Sequence, residues 1–560
     1  MISAAACLVA VAATLPSLPT TNPLTAHHGG SSGTASGGAN GATGSNAPGT
    51  SNPAAPGVNG TAPGAAVPGA AAGAGTAPRG AAGAGPAVQN GCNTYQGVSC
   101  NAIQVAFHWY DQGPECPGDQ NLGPFLKTLG VHTDPEASIG VLVQYFNAHS
   151  HDIFSQLPSG QPGFYGRQIA PHLYKSDGGP FCGNVNKQAA VQMATDGNFA
   201  AIGGCITCGS EGSGDVIQSV LAQYHVNSYE PTWNTNAYYA NRNTAPYAWG
   251  ALTSGDTIVQ HLSSVICNAY VGRPASDTGD GTVTGKSRVF SIANIDEPEE
   301  NTLGDRLIGN IRGCGATIAS GPAGHVEYAK DTSTASQQAA NIEYQQRSAG
   351  VTTIVCVCDA IAALVGNTQD ASTHWYPEYL VSDFGFLDSP TAVYSQPPAA
   401  SKNVVAVAET NEYDESTQPF CATPYGKIWC AVKGKAQPPE DFALWWVVFR
   451  VFIGQIAGAG ANLSPQTIYD ASVNGCAPCA PAGDSRPYDP QIGFGPKYPD
   501  GQYSAWKDYT LVRWDPNATS PWLQDIQGSG AHGAFVPYNP ATKSASLGWS
   551  RWRSWGVRTK

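Results

Sequence analysis

Apolar and polar positions along the chain fall into two alternating rhythms. Residues 354–358 (IVCVC) form a near-continuous apolar, β-rich run. That is the pattern of a strand buried on both faces of a parallel sheet. A helical segment, 336–347, precedes it; a short helix follows, and then another strand-like run at 379–386 (YLVSDFGF). Helix, strand, helix, strand is the rhythm of an open α/β sheet. Earlier segments repeat it: a strand at 103–107 (IQVAF), helices at 139–147 and 185–196, a strand at 199–202 and a helix at 216–224. A helix-like segment covers 247–272. A second series then opens with a strand at 288–293 (RVFSIA), an acidic loop at 296–300 (DEPEE) and a helix at 303–312. Residues 441–461 (DFALWWVVFRVFIGQIAGAGA) are the most apolar long segment. Arg450 and Gln455 interrupt it, so it predicts a buried helix rather than a membrane span.

Composition narrows the class. A chain of 560 residues is long enough for two or more domains or lobes. Only 12% of residues are charged and the net charge is −13, with no basic stripe across the main body, which argues against nucleic acid. Fifteen cysteines are many for such a chain. Setting aside Cys7 in the N-terminal apolar segment leaves an even number, the economical sign of an oxidising compartment and up to seven disulfides. Cys92 and Cys100, or Cys421 and Cys430, are spaced to close small loops.

The two ends read differently from the middle. Residues 1–21 open with the apolar core of an export signal or its remnant, without a basic residue ahead of it. Cys7 after Ala-Ala-Ala resembles a lipid-attachment site and equally reads as an ordinary residue of a cleaved signal. Residues 22–90 are Gly, Ala, Pro, Ser and Thr and predict a disordered tether with an r.m.s. span of roughly 45 Å. At the far end, 548–560 interleaves Trp549, Trp552 and Trp555 with Arg551 and Arg553 and reads as a strap over a lobe.

Candidate chemistry is sparse. Asp359 sits where the 354–358 strand ends, the edge at which open α/β sheets bind ligands. It reads equally as a helix N-cap. Residues 205–215 (CITCGSEGSGD) run from a strand through small donors into a helix, an arrangement that offers N–H groups to anions, but no Gly-Lys-Ser/Thr closes it as a P-loop. His149 and His151 lack a third ligand at a telling spacing, so a solvated loop is favoured over a metal site.

The order of motifs resembles the type I periplasmic binding proteins, the branched-chain amino acid receptor group of secreted actinobacterial substrate-binding proteins. GVSCNAIQVAF (97–107), FNAH with GFYGRQIAPHLYKSDG (163–178), DGNFAAIGGC (196–205) and VGRPASDTGDGTVTGKSRVFSIAN (271–294) carry the likeness. So do AGVTTIVCVCD, WYPEYLVSDFGF and AGANLSPQTIYDA (459–471).

The resemblance implies an α/β fold of two Rossmann-like lobes with a ligand cleft between them, closing on a hinge. It implies no enzyme chemistry and no cofactor. The partners would be a small polar solute (an amino acid or amide-like molecule) and an ABC permease. The chain would act as a monomer outside the cytoplasm, with membrane contact only through an N-terminal anchor. Lobe 1 would take 91–250, lobe 2 251–385, returning segments 386–530 and a tail 531–560. Carried onto this sequence, the family's ligand positions fall at Tyr110, Ser210, Glu211, Ser213 and Thr232 in the first lobe. In the second they fall at Glu297, Asp359 and Asp383. Asp359 is followed by Ala360 where related chains often carry proline, and the 234–245 loop is unusually rich in Asn and Tyr. A secreted hydrolase and a ligand-sensing or wall-interaction domain stay open as alternatives, because fold does not fix function.

Overall fold

The alternating pattern builds two sheets. A computed structural model describes residues 92–110, 133–176, 183–204, 213–241, 245–329, 332–394, 396–409, 418–475, 494, 504–506 and 509–540. All of them lie in one unit, Pro86–Lys560. The first sheet takes β1 (Ala102–Tyr110), β2 (Gln168–Ser176), β3 (Ala200–Gly203), β4 (Asn227–Glu230) and β5 (Ala248–Gly250), in the order β2-β1-β3-β4-β5 and all parallel. Helices α1 (Pro135–Ile153), α2 (Gly183–Thr195) and α3 (Ser213–Gln223) make the crossovers.

After β5 the chain moves to the second lobe with α4 (Gly255–Val265). There follow β6 (Phe290–Ile295), α5 (Pro298–Gly313), β7 (His325–Tyr328), α6 (Thr332–Ser348), β8 (Thr353–Val357), α7 (Ala360–Thr373), β9 (Glu378–Ser382) and β10 (Val404–Ala408). The chain then returns to the first lobe with α8 (Pro424–Lys433) and α9 (Asp441–Ala459). It crosses back to the second for β11 (Thr510–Asp515), α10 (Pro521–Gln527) and β12 (Ala534–Pro537). The second sheet runs β12-β11-β10-β9-β8-β6-β7; β11 alone runs against the others, pairing antiparallel with β10 on one side and β12 on the other. In both sheets the strand order reverses direction, at β1 and at β6, which puts a switch point at the carboxyl end of each.

Burial explains most of the sequence pattern. The 354–358 run becomes β8, buried on both faces: Val355 and Val357 enter one core while Ile354 and Cys356 enter the other. The apolar 441–461 segment becomes α9, with Phe442, Trp445, Phe449 and Phe452 fully buried in the first lobe. Trp445 and Phe449 pack on Phe107 of β1, and Trp446 stacks on Phe146 of α1. Its two polar interruptions are absorbed. Gln455 accepts from the Tyr229 hydroxyl at 2.5 Å, and the Arg450 guanidinium lies over the rings of Trp446 and Trp506. The end of α9 leaves carbonyls without intrahelical partners. Tyr165 donates to Ala457 O (2.6 Å) and the buried Arg167 to Ala461 O (2.8 Å).

Some elements depart from the sequence expectation. The 247–272 stretch begins as strand β5 and turns helical only at Gly255, where the Ser254 side chain caps by accepting from Thr257 N–H. The 379–386 run stops as a strand at Ser382, because Asp383 turns helical and Gly385 takes φ 67°. Five strands, β2, β4, β7, β10 and β11, lie where none was read. Residues 534–537, inside the expected tail, pair with β11 in the second sheet. The sulfurs of Cys92 and Cys100 and of Cys421 and Cys430 lie next to each other at the short spacings anticipated, as do those of Cys267 and Cys314. The N-terminal signal, the tether and the 548–560 strap lie outside the described residues.

Asp441, the first residue of α9, is 1% exposed. It accepts from Asp134 N–H and from Trp445 Nε1 (both 3.0 Å), tying the start of α9 to the cap of α1. Burial raises its carboxyl from 3.8 to about 6, against these hydrogen bonds, which lower it. Between those two pH values the folded state keeps a proton that the unfolded chain has lost. Stability from this group therefore falls as pH rises through that window and levels off above it. The effect is on the order of 3 kcal/mol. Melting temperature measured from pH 4 to pH 7 should decline less steeply for Asp441→Asn than for the parent over this range. Parallel profiles would show that Asp441 does not titrate as described.

Candidate functional site

The carboxyl ends of the two sheets carry the polar side chains. On the first sheet one register row crosses three strands: His108 of β1 stands beside Gly203 of β3, one residue beyond the Ile202–Tyr229 pair that aligns β3 with β4. His108 Nε2 lies 2.7 Å from Glu230 Oε1, with both residues buried. The contact passes over Gly203, which has no side chain. A Cβ there would stand 1.8 Å from Glu230 Oε2. Burial raises the Glu230 carboxyl, and His108 opposes the rise. Next to it Gly204 gives its side-chain space to the Trp445 ring.

Beyond β4 the chain leaves the first lobe's surface. Thr232 is buried, its hydroxyl 3.2 Å from the Tyr239 hydroxyl. Trp233 then reaches the second lobe. Its ring stacks on Phe384 at 5.4 Å, meets Phe386 edge-on at 4.8 Å, and its Nε1 donates to Asp383 Oδ2 at 3.3 Å. Behind it, the N–H groups of Thr235 and Asn236 donate to Glu299 Oε1 (2.9 Å) and Asp256 Oδ2 (2.6 Å). The β4–β5 loop is thus seated on second-lobe acids.

The second sheet presents acids at the ends of adjacent strands. Glu297, half-buried, is the N-cap residue of α5 just past β6. Asp359 follows β8; its Oδ1 accepts from Ala362 N–H at 2.7 Å, so it caps α7, and its own N–H donates to the Tyr328 hydroxyl. Asp383 follows β9 and is fully buried. Its N–H donates to Glu409 Oε2, and Glu409 Oε1 lies 2.7 Å from His261 Nδ1 of α4. Glu409 N–H in turn donates to Asp388. Such carboxylates accept hydrogen bonds from ammonium, amide and hydroxyl groups.

The structure brings Thr232 and Asp383 together, linked by Trp233. Glu297, Asp359 and Asp383 stand at the ends of β6, β8 and β9, which are neighbours in the sheet. Ser210 and Glu211 lie outside the described residues. Tyr110 ends β1 and Ser213 opens α3, but their side chains also lie outside. His149 is exposed and 3.1 Å from Asp152. Among the described residues no group of three or more His, Cys, Asp or Glu is placed to hold a metal. Sequence reasoning missed the His108–Glu230 and His261–Glu409 pairs. The signal for the first was a histidine continuing a mostly apolar strand; for the second, a glutamate closing VVAVA.

No protein-family model matches the sequence, and no characterised protein matches it by sequence search. Comparison of folds does find similar structures. A solute-binding protein of an ABC transporter from Rhodopseudomonas palustris BisB5, solved with 3,4-dihydroxybenzoic acid, superposes with a TM-score of 0.50 at 10% identity, covering 78% of this chain and 96% of that one. A fatty acid ABC transporter substrate-binding protein from Thermomonospora curvata (TM-score 0.49, 12% identity, 80% and 96% covered) is also similar. So is a leucine-binding protein from Thermotoga maritima MSB8 (0.48, 12%, 74% and 95%). The chain has the type I periplasmic binding protein fold, and these three neighbours are solute-binding proteins rather than enzymes.

The row across β1, β3 and β4 makes Gly203 a point of failure. Gly203→Ala should destabilise the protein by about 1–3 kcal/mol, the usual range for overpacking a filled site. Urea unfolding measures it, and an unchanged midpoint would contradict the row.

Proposed function

We propose that the chain is an extracytoplasmic solute-binding protein that captures a small polar ligand, an amino acid or amide-like molecule, by hinge closure for an ABC permease. The observation that carries this reading is the set of three carboxylates, Glu297, Asp359 and Asp383, at the ends of adjacent strands of the second sheet. They stand at the edge where the first lobe's β4–β5 loop comes across to meet Asp383. An ammonium or amide would donate to these acids. Ser210, Glu211, Ser213 and Thr232 would supply hydroxyl and backbone donors to the ligand's carboxylate, and Tyr110 would cover its apolar part. Three chain crossings join the lobes, an arrangement that supports closure on a hinge. In this reading residues 1–21 direct export and 22–90 tether the binding unit off a surface, with the protein acting as a monomer and without a cofactor.

Thermal unfolding of the full chain, refolded to strip bound solute, tests the reading against amino acids, amides, short peptides, aromatic acids and sugars. A ligand at 100 times its dissociation constant should add about 2.7 kcal/mol. Glu297→Gln should weaken that ligand about tenfold, a loss of about 1.4 kcal/mol, while leaving the unliganded melting temperature in place. A folded protein that no compound class shifts, or hydrolytic turnover of any of them, would count against it.

A further inference from the structure

Trp233 lies in the first lobe by sequence and in the second by packing. It stands between β4 and β5, both strands of the first sheet. Its side chain is fully buried, in a hydrophobic cluster whose other members include residues of α4, α5, β6, β8, β9 and β10.

The seat is built from several contacts. The ring stacks on Phe384 and meets Phe386 edge-on, and Nε1 donates to Asp383 Oδ2. The Trp233 carbonyl accepts from the N–H of Gly255 (2.9 Å), the first residue of α4. That approach needs the bare glycine: a Cβ there would stand 2.8 Å from Trp233 O and 2.5 Å from Leu303 Cδ1. The N–H groups of Thr235 and Asn236 donate to Glu299 of α5 and Asp256 of α4. Arg306 of α5 pairs with Asp256 and so ties the helices that carry the two acceptors. Hydrogen bonds to carboxylates are the stronger kind.

The loop is also stiff where it leaves the first lobe. Pro231 and Thr232 alone separate β4 from Trp233, and proline fixes one backbone torsion. The Thr232 hydroxyl lies 3.2 Å from that of Tyr239. Tyr239 is fully buried against β5, where a Cβ on Gly250 would stand 3.0 Å from its Cζ. Hinges work through residues that absorb large backbone rotations. A short segment held at both ends transmits rotation instead.

We propose that residues 231–236 are a brace across the hinge. Anchored through Trp233, they fix the angle between the lobes in the chain without solute, and the lobes open freely only when Trp233 leaves its seat. The brace adds a noncovalent tie to the three chain crossings. It concerns the chain without solute, so it holds or fails independently of the solute reading.

Single-molecule energy transfer tests it in the full chain, refolded to strip bound solute, with fluorophores at the exposed Tyr224 of the first lobe and Tyr344 of the second. The parent should show one narrow distribution. Trp233→Ala should shift its mean by more than the parent's width or split it in two. Glu299→Ala, at a half-buried position, should broaden it to a lesser degree. Trp375→Ala empties another buried site, just before β9, and should leave the distribution in place. A folded Trp233→Ala protein whose distribution matches the parent's overturns the proposal. So does an equal shift in Trp375→Ala, which would mark general loosening rather than loss of a brace. If Trp233→Ala does not fold, Glu299→Ala decides, and a distribution identical to the parent's overturns the brace.

Discussion

The apolar helix α9 must be buried, and the first lobe is where it is buried. With Phe442, Trp445, Phe449 and Phe452 all out of solvent, this helix and α1 together cover one face of the β2-β1-β3-β4-β5 sheet. The chain nevertheless makes α9 only after it has laid down most of the second sheet. It must therefore cross back to supply α9 and cross again to add β11 and β12. Three connections between two lobes follow from that one hydrophobic demand. Val447, on the same helix, packs against both large hydrophobic clusters, one of which takes residues from both sheets.

The polar groups obey the same geometry. Strand interiors are apolar, so ionisable residues gather at the strand ends, where partners come from loops and helix starts. On the first sheet a glycine makes room for a His–Glu pair. On the second, backbone N–H groups, His261 and Trp233 satisfy a row of acids. A buried ion pair adds little net stability against an apolar filling, but breaking one leaves a costly unpaired charge. The Arg288–Glu378 pair at the opposite edge of the second sheet shows how far this goes. Burial pushes the Glu378 carboxyl up, yet two guanidinium hydrogen bonds at 2.7 Å hold it below the usual range.

Much of this architecture was legible in the sequence where burial is two-sided. IVCVC and DFALWWVVF announce a buried strand and a buried helix through composition alone. Asp359 was readable at its strand end, and the structure makes it a helix cap there. Other strands were silent for physical reasons. β2 carries Pro171 and several polar residues because it is an edge strand, where a missing donor is tolerated. β4 (NSYE) is polar but wholly buried, its side chains paired rather than apolar, and β5 is three residues long. The His108–Glu230 pair joins residues 122 apart in sequence, so no local pattern displays it. The reach of Trp233 into the second lobe is hidden for the same reason.

Closure of the two lobes on a captured solute is the central claim, and the distance between them is the direct readout. Fluorescent unnatural amino acids at Tyr224 in the first lobe and Tyr344 in the second occupy exposed positions, at 44% and 71%. Energy transfer between them should change saturably as the stabilising solute is added and revert when it is removed. Transfer that stays constant while the solute demonstrably binds would contradict capture by closure.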